Sequence, residues 1–488
     1  MMSVGHPHEN DVISYTDTVS ESVGSLRGLG RANAGRRRGR PRWGRMVVST
    51  SFLTFLLQAG SSMTHGLYMP AFLEEFQAGT GLIGWLTSFS AAVMCLGGPI
   101  GGVIVKRLGC RPSVMLGGAM MATGNGLASL CTTIVQLFLC LGLVGLGGSM
   151  VSVGLVVAIG QYYTRHHSIA NGLAFSGIGA GIFVFSPLVR FLIDNYGWRG
   201  SFLVQAGILL NLEVTGALLR PASRYKVRNS RKEKMQSVTE SGNNDSNFEE
   251  GDESVVLDGS GEHEGTQSSK CTGRSWSLGW LGKFNGLFYL GLCELFRTAP
   301  SVVQVYAACF LLDAGVSAVM SHISNLDGVT PQQASSLLPY LGIGSLVGRL
   351  IHGGFLKCKH VTPYRMYIAA LLVSAPSATL IAITGSFGGR IVEVVIFGFA
   401  SGSLYPLVAV ILRELVGISQ LGLAFGLSMF AYGVGGQLGG FIIGVLRDST
   451  GNYTLSFYLV GLFFVIAATV MSLRPLIECR RRRRLTMG

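Results

Sequence analysis

GPIGGVIVKRLGCRP, residues 98–112, and RLIHGGFLKCKHVTP, residues 349–363, end two long apolar runs in the same way. Gly102 of the first aligns with Gly353 of the second, and Lys106 with Lys357. Each stretch closes the second apolar run in a set of six, so the chain reads as one plan used twice. A run of about 20 apolar residues is what crosses the hydrocarbon core of a bilayer. Outward from these two places, hydropathy puts spans at about 46–68, 82–105, 113–131, 135–160, 168–190 and 200–219. The second set falls at about 301–321, 335–356, 366–386, 391–412, 420–445 and 455–473. The expected fold is an all-α membrane protein with twelve transmembrane helices in two six-helix halves.

Composition agrees. Of 488 residues, 49% are hydrophobic and 13% charged, against roughly 25% charged in soluble domains. The 69 glycines suit helices that must approach closely where lipid supplies no hydrophobic drive for association. Lys and Arg set the orientation. With the N-terminus inside, the short inner loops carry Lys106, Arg107, Arg111, Arg165, Lys357, Lys359, Arg365 and Arg413, and the outer loops only Arg199, Arg390 and Arg447. Seven arginines between Arg31 and Arg45 and five from Arg480 to Arg484 place both termini in the cytoplasm. The net charge of +13 is read as this topology signal, meeting anionic lipid, rather than as a nucleic-acid surface. The first 45 residues have no apolar core of signal-peptide length, so the first span is expected to direct insertion itself.

The chain divides into a disordered, basic cytoplasmic N-tail (1–45), an N-terminal half (46–221), a linker (222–298), a C-terminal half (299–474) and a basic cytoplasmic tail (475–488). The linker, with SGNNDSNFEEGDESVVLDGSGEHEG at 241–265, is too poor in apolar residues to offset the entropy of ordering, and is expected to be mostly disordered and cytoplasmic. Of nine cysteines, most fall within spans or on the cytoplasmic side. Only Cys131 and Cys140 stand where they could meet near the outer face, so no disulfide framework is expected. No cysteines or histidines stand at zinc-ligand spacing, so no metal and no cofactor is expected. Asn452–Thr454 forms a glycosylation sequon that hugs the membrane and is read as an unmodified turn.

Two six-span halves related by an axis along the membrane normal are the layout of the major facilitator fold. GGVIVKRLGCR resembles that superfamily's inner-loop signature, with Gly102, Arg107, Gly109 and Arg111 in place and Lys106 where an acid usually stands. YYTRHHSIANGLAFSGIGAG, residues 162–181, resembles the fifth-span signature of the monocarboxylate transporter family through Tyr162, Tyr163, Arg165, Ala170, Asn171, Gly172, Ala174 and Gly177. YGWRGSFLVQAGILLNLEVTGALLRP and VLRDSTGNYTLSFY are also similar to that family. The family's first-span signature is mostly missing, since RPRWGRMVV keeps only Trp43 and Gly44.

Ionisable residues inside spans are costly and so mark function. Arg349 lies in the eighth span, where the first half has Gly98. Facing a cavity, its guanidinium would grip a carboxylate through two parallel hydrogen bonds; the other reading is an arginine snorkelling to the headgroups. The resemblance favours the first, because the family has a functional arginine at the matching place. Proton-coupled members resemble one another in an Asp four residues earlier, on the same helix face; here that position is Ser345. The lysine such members carry late in the first span is replaced by Met63 or a close neighbour. Asp313, in CFLLDAGVSAV of the seventh span, is the acid available to carry a proton or to bind solute, and direct pairing with Arg349 is left open across a depth difference of roughly 9 Å. Glu213 and Glu414 are read as inner-gate or solvated groups, and His65 and His352 as helix-contact histidines.

The sequence thus reads as a secondary-active or facilitative plasma-membrane transporter of a small monocarboxylate or related metabolite, working by alternating access with or without a proton. A proton-independent facilitator of amino acids, creatine-like or aromatic solutes competes with that, as does a non-transporting sensor or scaffold. The expected partners are the solute, a proton and the lipid bilayer, with no nucleic acid. The family resemblance adds a single-span accessory glycoprotein. No GxxxxGK[ST] loop or nucleophile elbow supports an ATP-driven pump or an enzyme.

Overall fold

The structure is a computed structural model that describes residues 42–163, 166–219, 291–297, 299–323, 331–356, 361–450 and 453–473. In chain order the long elements are α1 (Arg42–Met63), a 3-10 turn (His65–Tyr68), α2 (Met69–Phe76), α3 (Thr80–Leu96), α4 (Gly98–Leu108), α5 (Cys110–Ala128), α6 (Ile134–Tyr162), α7 (His167–Leu209) and α8 (Asn211–Leu218). The second half continues with α9 (Val302–His322), α10 (Pro331–Phe355), α11 (Pro363–Ile383), α12 (Phe387–Thr450) and α13 (Thr454–Ser472). Residues 1–41 of the N-tail, nearly all of the linker, the C-tail, Arg165, Lys357, Lys359 and the sequon's Asn452 lie outside the described residues; residues 42–45, expected to belong to the disordered N-tail, instead form the first turn of α1.

Among the described residues, seven helices are long and apolar enough to cross a membrane, or eight when α3 and α4, bent by 48°, count as one span. Two of these are too long for one crossing: His167–Leu218 has 52 residues and Phe387–Arg447 has 61, where about 20 suffice. Each folds back at a glycine. Gly197 has φ 68° and ψ 175°, and Gly417 has φ 69° and ψ −173°, a backbone region that costs a side-chain-bearing residue dearly. Counting both passes in each, and adding α5 and α10, gives twelve spans.

Span boundaries shift in one place. The first span, expected to end near 68, tightens into the 3-10 turn at His65 and resumes as α2, with Pro70 near its start. Proline fits a helix start because its missing N–H has no partner there anyway. Elsewhere, α6 starts with a reciprocal cap, Thr133 Oγ1 accepting from Gln136 N–H and the Gln136 side chain accepting from Thr133 N–H. Thr362 caps α11 through Arg365 N–H at 3.2 Å.

The described residues from Val47 onward belong to one compact unit. Within it the halves meet through small residues. A Cβ on Gly98 (α4) would run into Gly426 O and come within 2.8 Å of Met429 Cβ on α12, and one on Gly102 would reach 2.9 Å from Leu423 Cα. On the opposite flank, Gly172 (α7) lies against Arg349 O and His352 of α10, and Gly353 lies 2.7 Å, measured from its added Cβ, from Ile169 Cα. Both flanks close the bundle toward the end where span 2 turns into span 3 at Gly109. At the opposite end of the first half an aromatic cluster anchors α2: Tyr68 stacks on Phe202 at 4.5 Å and Phe72 meets Trp198 edge-on at 5.3 Å.

Candidate functional site

Asp313 sits midway along α9, Arg349 near the end of α10, and Tyr405 within the first pass of α12, one residue before Pro406. Their side chains are half-buried. The Tyr405 hydroxyl donates to Asp313 Oδ1 at 2.7 Å, and the Ser317 hydroxyl, one helical turn along α9, bonds to the same carboxylate. Gly436 on the second pass of α12 makes room, since a methyl there would strike Asp313 Oδ2 and approach Ser317 Oγ at 2.7 Å. Tyr432 sets its ring beside Tyr405, centroids 5.2 Å apart.

Arg349 completes the group from the other side. Its guanidinium lies within electrostatic reach of Tyr405, and its Nε is buried with no acceptor among the described residues. The pairing of Asp313 with Arg349 that the sequence left open is not made: neither takes part in the ion pairs seen among the described residues, such as Arg190–Asp194 and Arg199–Glu75. Tyr405 links them instead, its hydroxyl bonded to Asp313 and its phenol within electrostatic reach of Arg349. Cys95 of α3 brings the first half up to this group, within electrostatic reach of both Asp313 and Tyr405.

Other residues singled out in the sequence lie apart from this group. Ser345, where an acid was sought, is wedged against span 10: a Cβ on Gly402 would lie 2.6 Å from Ser345 Oγ. A carboxylate at that contact would have to displace helix α12. Met63 is exposed. Asn171 and Gly172 of the fifth-span signature instead shape the turn behind Arg349. Asn171 is fully buried, its Nδ2 3.4 Å from His167 Nε2, and Gly172 abuts Arg349 O, which also contacts His352 Nδ1 at 2.8 Å. Tyr162 and Tyr163 end α6. Of the inner-loop signature, Gly102 is a helix contact, Gly109 takes φ 88° at the α4–α5 junction, Arg107 is half-buried and Arg111 is exposed.

Tyr405, Ser317 and Cys95 escaped sequence reasoning as site residues, since it weighed only charged side chains and histidines within the spans. The one signal was a hydroxyl-bearing aromatic before a proline in mid-span. A polar face on the first span also went unread apart from His65: Thr54, Gln58 and Ser61 of α1 and His65 of the 3-10 turn recur at helical spacing. Gln58 Nε2 donates to Gly148 O and Ser152 Oγ at 2.8 Å each, Ser61 Oγ donates to Gln205 Oε1 at 2.8 Å, and His65 Nδ1 lies 2.8 Å from Ser90 Oγ. These bonds tie α1 to spans 2, 4 and 6 as interhelical polar contacts do in membrane bundles.

The Tyr405 bond allows a sharp test. Tyr405→Phe keeps ring and volume but leaves Asp313 without its phenolic donor, and a hydrogen bond to a charged group is worth about 1.5–3 kcal/mol. Losing a bond of that magnitude is expected to lower the purified protein's melting temperature by a few degrees and to slow solute flux. Unaltered initial rates in proteoliposomes would remove Tyr405 from the site.

The sequence profile of the Major Facilitator Superfamily matches residues 50–303 and 302–483. Monocarboxylate transporter 14 of Homo sapiens is 29% identical over 475 residues, covering 90% of this chain and 92% of its own. Monocarboxylate transporter 13 of Rattus norvegicus is 30% identical over 438 residues and is covered to 89%, as is this chain. Among solved structures, the proton:xylose symporter XylE superposes with a TM-score of 0.65 at 14% identity, over 88% of this chain and 95% of its own. The human organic anion transporter MFSD10 gives 0.62 at 13% identity, over 88% and 100%. At such identities these two establish the fold.

Proposed function

Because the chain belongs to the major facilitator superfamily and, within it, to the monocarboxylate transporter family, we propose that it carries a small organic carboxylate across the plasma membrane by alternating access, with Arg349 receiving the carboxylate. The observation that carries this reading is the buried Arg349 Nε, which has no acceptor among the described residues, while Tyr405, the tyrosine that holds the Asp313 carboxylate, lies within electrostatic reach of it. A desolvated guanidinium edge is costly unless something accepts from it, and a solute carboxylate supplies two acceptor oxygens in matching geometry.

The arginine distribution supports both termini in the cytoplasm, which makes the end closed by Gly98, Gly102 and Gly172 the cytoplasmic one. Solute then reaches Arg349 from outside, the halves rock about it, and the small-residue contacts part to release it inward. Asp313, oriented by Tyr405 and Ser317, carries the coupled proton. On protonation it accepts less from Tyr405, freeing the phenol to turn toward the solute. Asp313→Asn is therefore expected to exchange solute at a rate that no longer rises as the external medium goes from neutral to mildly acidic, whereas the parent protein accelerates. Acid acceleration that survives the substitution would place the proton elsewhere.

A second reading is favoured by the Tyr405–Tyr432 pair. A zwitterion would place its carboxylate on Arg349 and its cationic end on Asp313, with the two ring faces adding cation–π attraction, and no proton would be needed. Counterflow of labelled lactate, pyruvate, amino acids and creatine in proteoliposomes separates the readings. Accelerated exchange of a simple monocarboxylate supports the first, and exchange confined to zwitterions and insensitive to pH supports the second. A folded protein that exchanges none of them while binding one would be a sensor.

A further inference from the structure

Cys131 lies just beyond α5, and Cys140 sits in the second turn of α6, at the end of the first half opposite the arginine-rich loops. Their sulfur atoms are 3.6 Å apart, and both thiols are free. Cys131 is almost fully buried, with Sγ–H directed at Leu127 O at 3.4 Å, whereas Cys140 is half-exposed. A disulfide needs sulfurs about 2.05 Å apart, and these stand in van der Waals contact, 3.6 Å apart with no atom between them. The surroundings are already held: Arg199 donates to Cys131 O at 3.2 Å, pairs with Glu75 at 2.9 Å and lies 4.3 Å over the Trp198 ring. Arg199 thus ties the end of span 3 to α2 and to the start of span 6.

We propose that Cys131 and Cys140 form an intramolecular disulfide on the extracellular face, pinning the outer ends of spans 3 and 4. The proposal rests on the orientation argued above, which puts this end in the oxidising lumen during biogenesis and outside the cell thereafter. The more accessible Cys140 thiolate attacks a disulfide donor of the secretory pathway, forming a mixed disulfide and expelling one donor thiolate. Cys131 then attacks the Cys140 sulfur and expels the second. The pair loses two protons and two electrons, and the donor's sulfur–sulfur bond is reduced to two thiols. The product is a short closed loop over TTIVQLFL, which the capping box at Thr133 and Gln136 already folds back. Together with the Arg199–Glu75 pair it would hold the rim of the first half as one body while the halves rock.

The test uses full-length protein purified from cell membranes without reductant, denatured in N-ethylmaleimide and digested for mass spectrometry. The expected result is a peptide carrying residues 131–140 that gains two alkyl groups only after reduction, while Cys95 and Cys309 are alkylated without it. Reductant is also expected to lower the melting temperature of the parent protein but not of Cys140→Ala. If Cys140→Ala does not fold, the reductant effect on the parent protein stands alone as the second readout. Alkylation of both residues without reduction overturns the proposal. Incubating a native, unalkylated portion of the same protein with oxidised glutathione then shows which premise failed: closure in vitro faults the orientation, and failure to close faults the geometry.

Discussion

Arg349→Gln is expected to reduce carboxylate flux by about 30- to several thousand-fold, the range that follows from about 2–5 kcal/mol for truncating one partner of a buried, hydrogen-bonded charge pair. Glutamine keeps much of the side chain's length and one N–H pair, so the helix contact at Gly172 is retained and the protein should stay folded. What it loses is the charge and the rigid fork of donors that a carboxylate fits in two places. Arg349→Lys restores the charge as a point without the fork, and is expected to recover part of the lost rate. Initial rates of labelled-solute counterflow, normalised to folded protein by size-exclusion chromatography, measure both. Equal rates for all three forms would mean the guanidinium turns away from the solute path.

Gly98→Leu is expected to produce the second largest change, this time in conformation. A Cβ on Gly98 meets Gly426 O and Met429 Cβ, and the reciprocal Cβ on Gly426 would lie 2.7 Å from Gly98 C. The obstacle is largely main chain, so no flexible neighbour can swing away and the two halves must separate. Overpacking of this sort costs about 1–3 kcal/mol. That cost falls on the state closed at this end, so the population moves toward the opposite state by about five- to a hundred-fold. Uptake should fall in proportion to the time spent trapped. Spin labels at Arg111 and Ile418, each replaced by cysteine on a background without reactive native thiols, should report a longer distance across the parted end in double electron–electron resonance. Unchanged distances together with unchanged flux would show that this helix crossing does not gate the protein.

The fold was legible because bilayer thickness acts on every span alike. Twelve apolar runs of crossing length, a repeated span 2–span 3 stretch and a one-sided arginine distribution are linear properties of the chain. The positions of the sharp reversals were less so: Gly197 and Gly417 look like any of the 69 glycines until the backbone shows positive φ. The 3-10 break at His65 was hidden by continuous apolarity through Tyr68.

The candidate site was legible only in its charges. Arg349 and Asp313 stood out because an ionisable group inside a span needs a reason. Tyr405 did not, since a tyrosine in a span is unremarkable by itself and its contacts depend on span 10 touching both span 7, at Asp313, and span 8, at Ser345. Ser345 shows the reverse case. A missing acid suggested lost chemistry, yet the position is occupied by helix packing against Gly398 and Gly402, and the carboxylate stands on the neighbouring span. The fifth-span signature was legible as a family resemblance, and the structure sets its Gly172 against Arg349 O and His352.

Equilibrium binding to the purified protein tests the central claim most directly, because it bypasses gating, coupling and membrane insertion. The labelled solute that the parent protein exchanges fastest would be titrated by scintillation proximity against the parent protein, Arg349→Gln and Tyr405→Phe. A guanidinium that holds the solute carboxylate predicts saturable binding to the parent and affinity weaker by at least about 30-fold in Arg349→Gln, with a smaller loss in Tyr405→Phe. Equal dissociation constants for the parent protein and Arg349→Gln would contradict it.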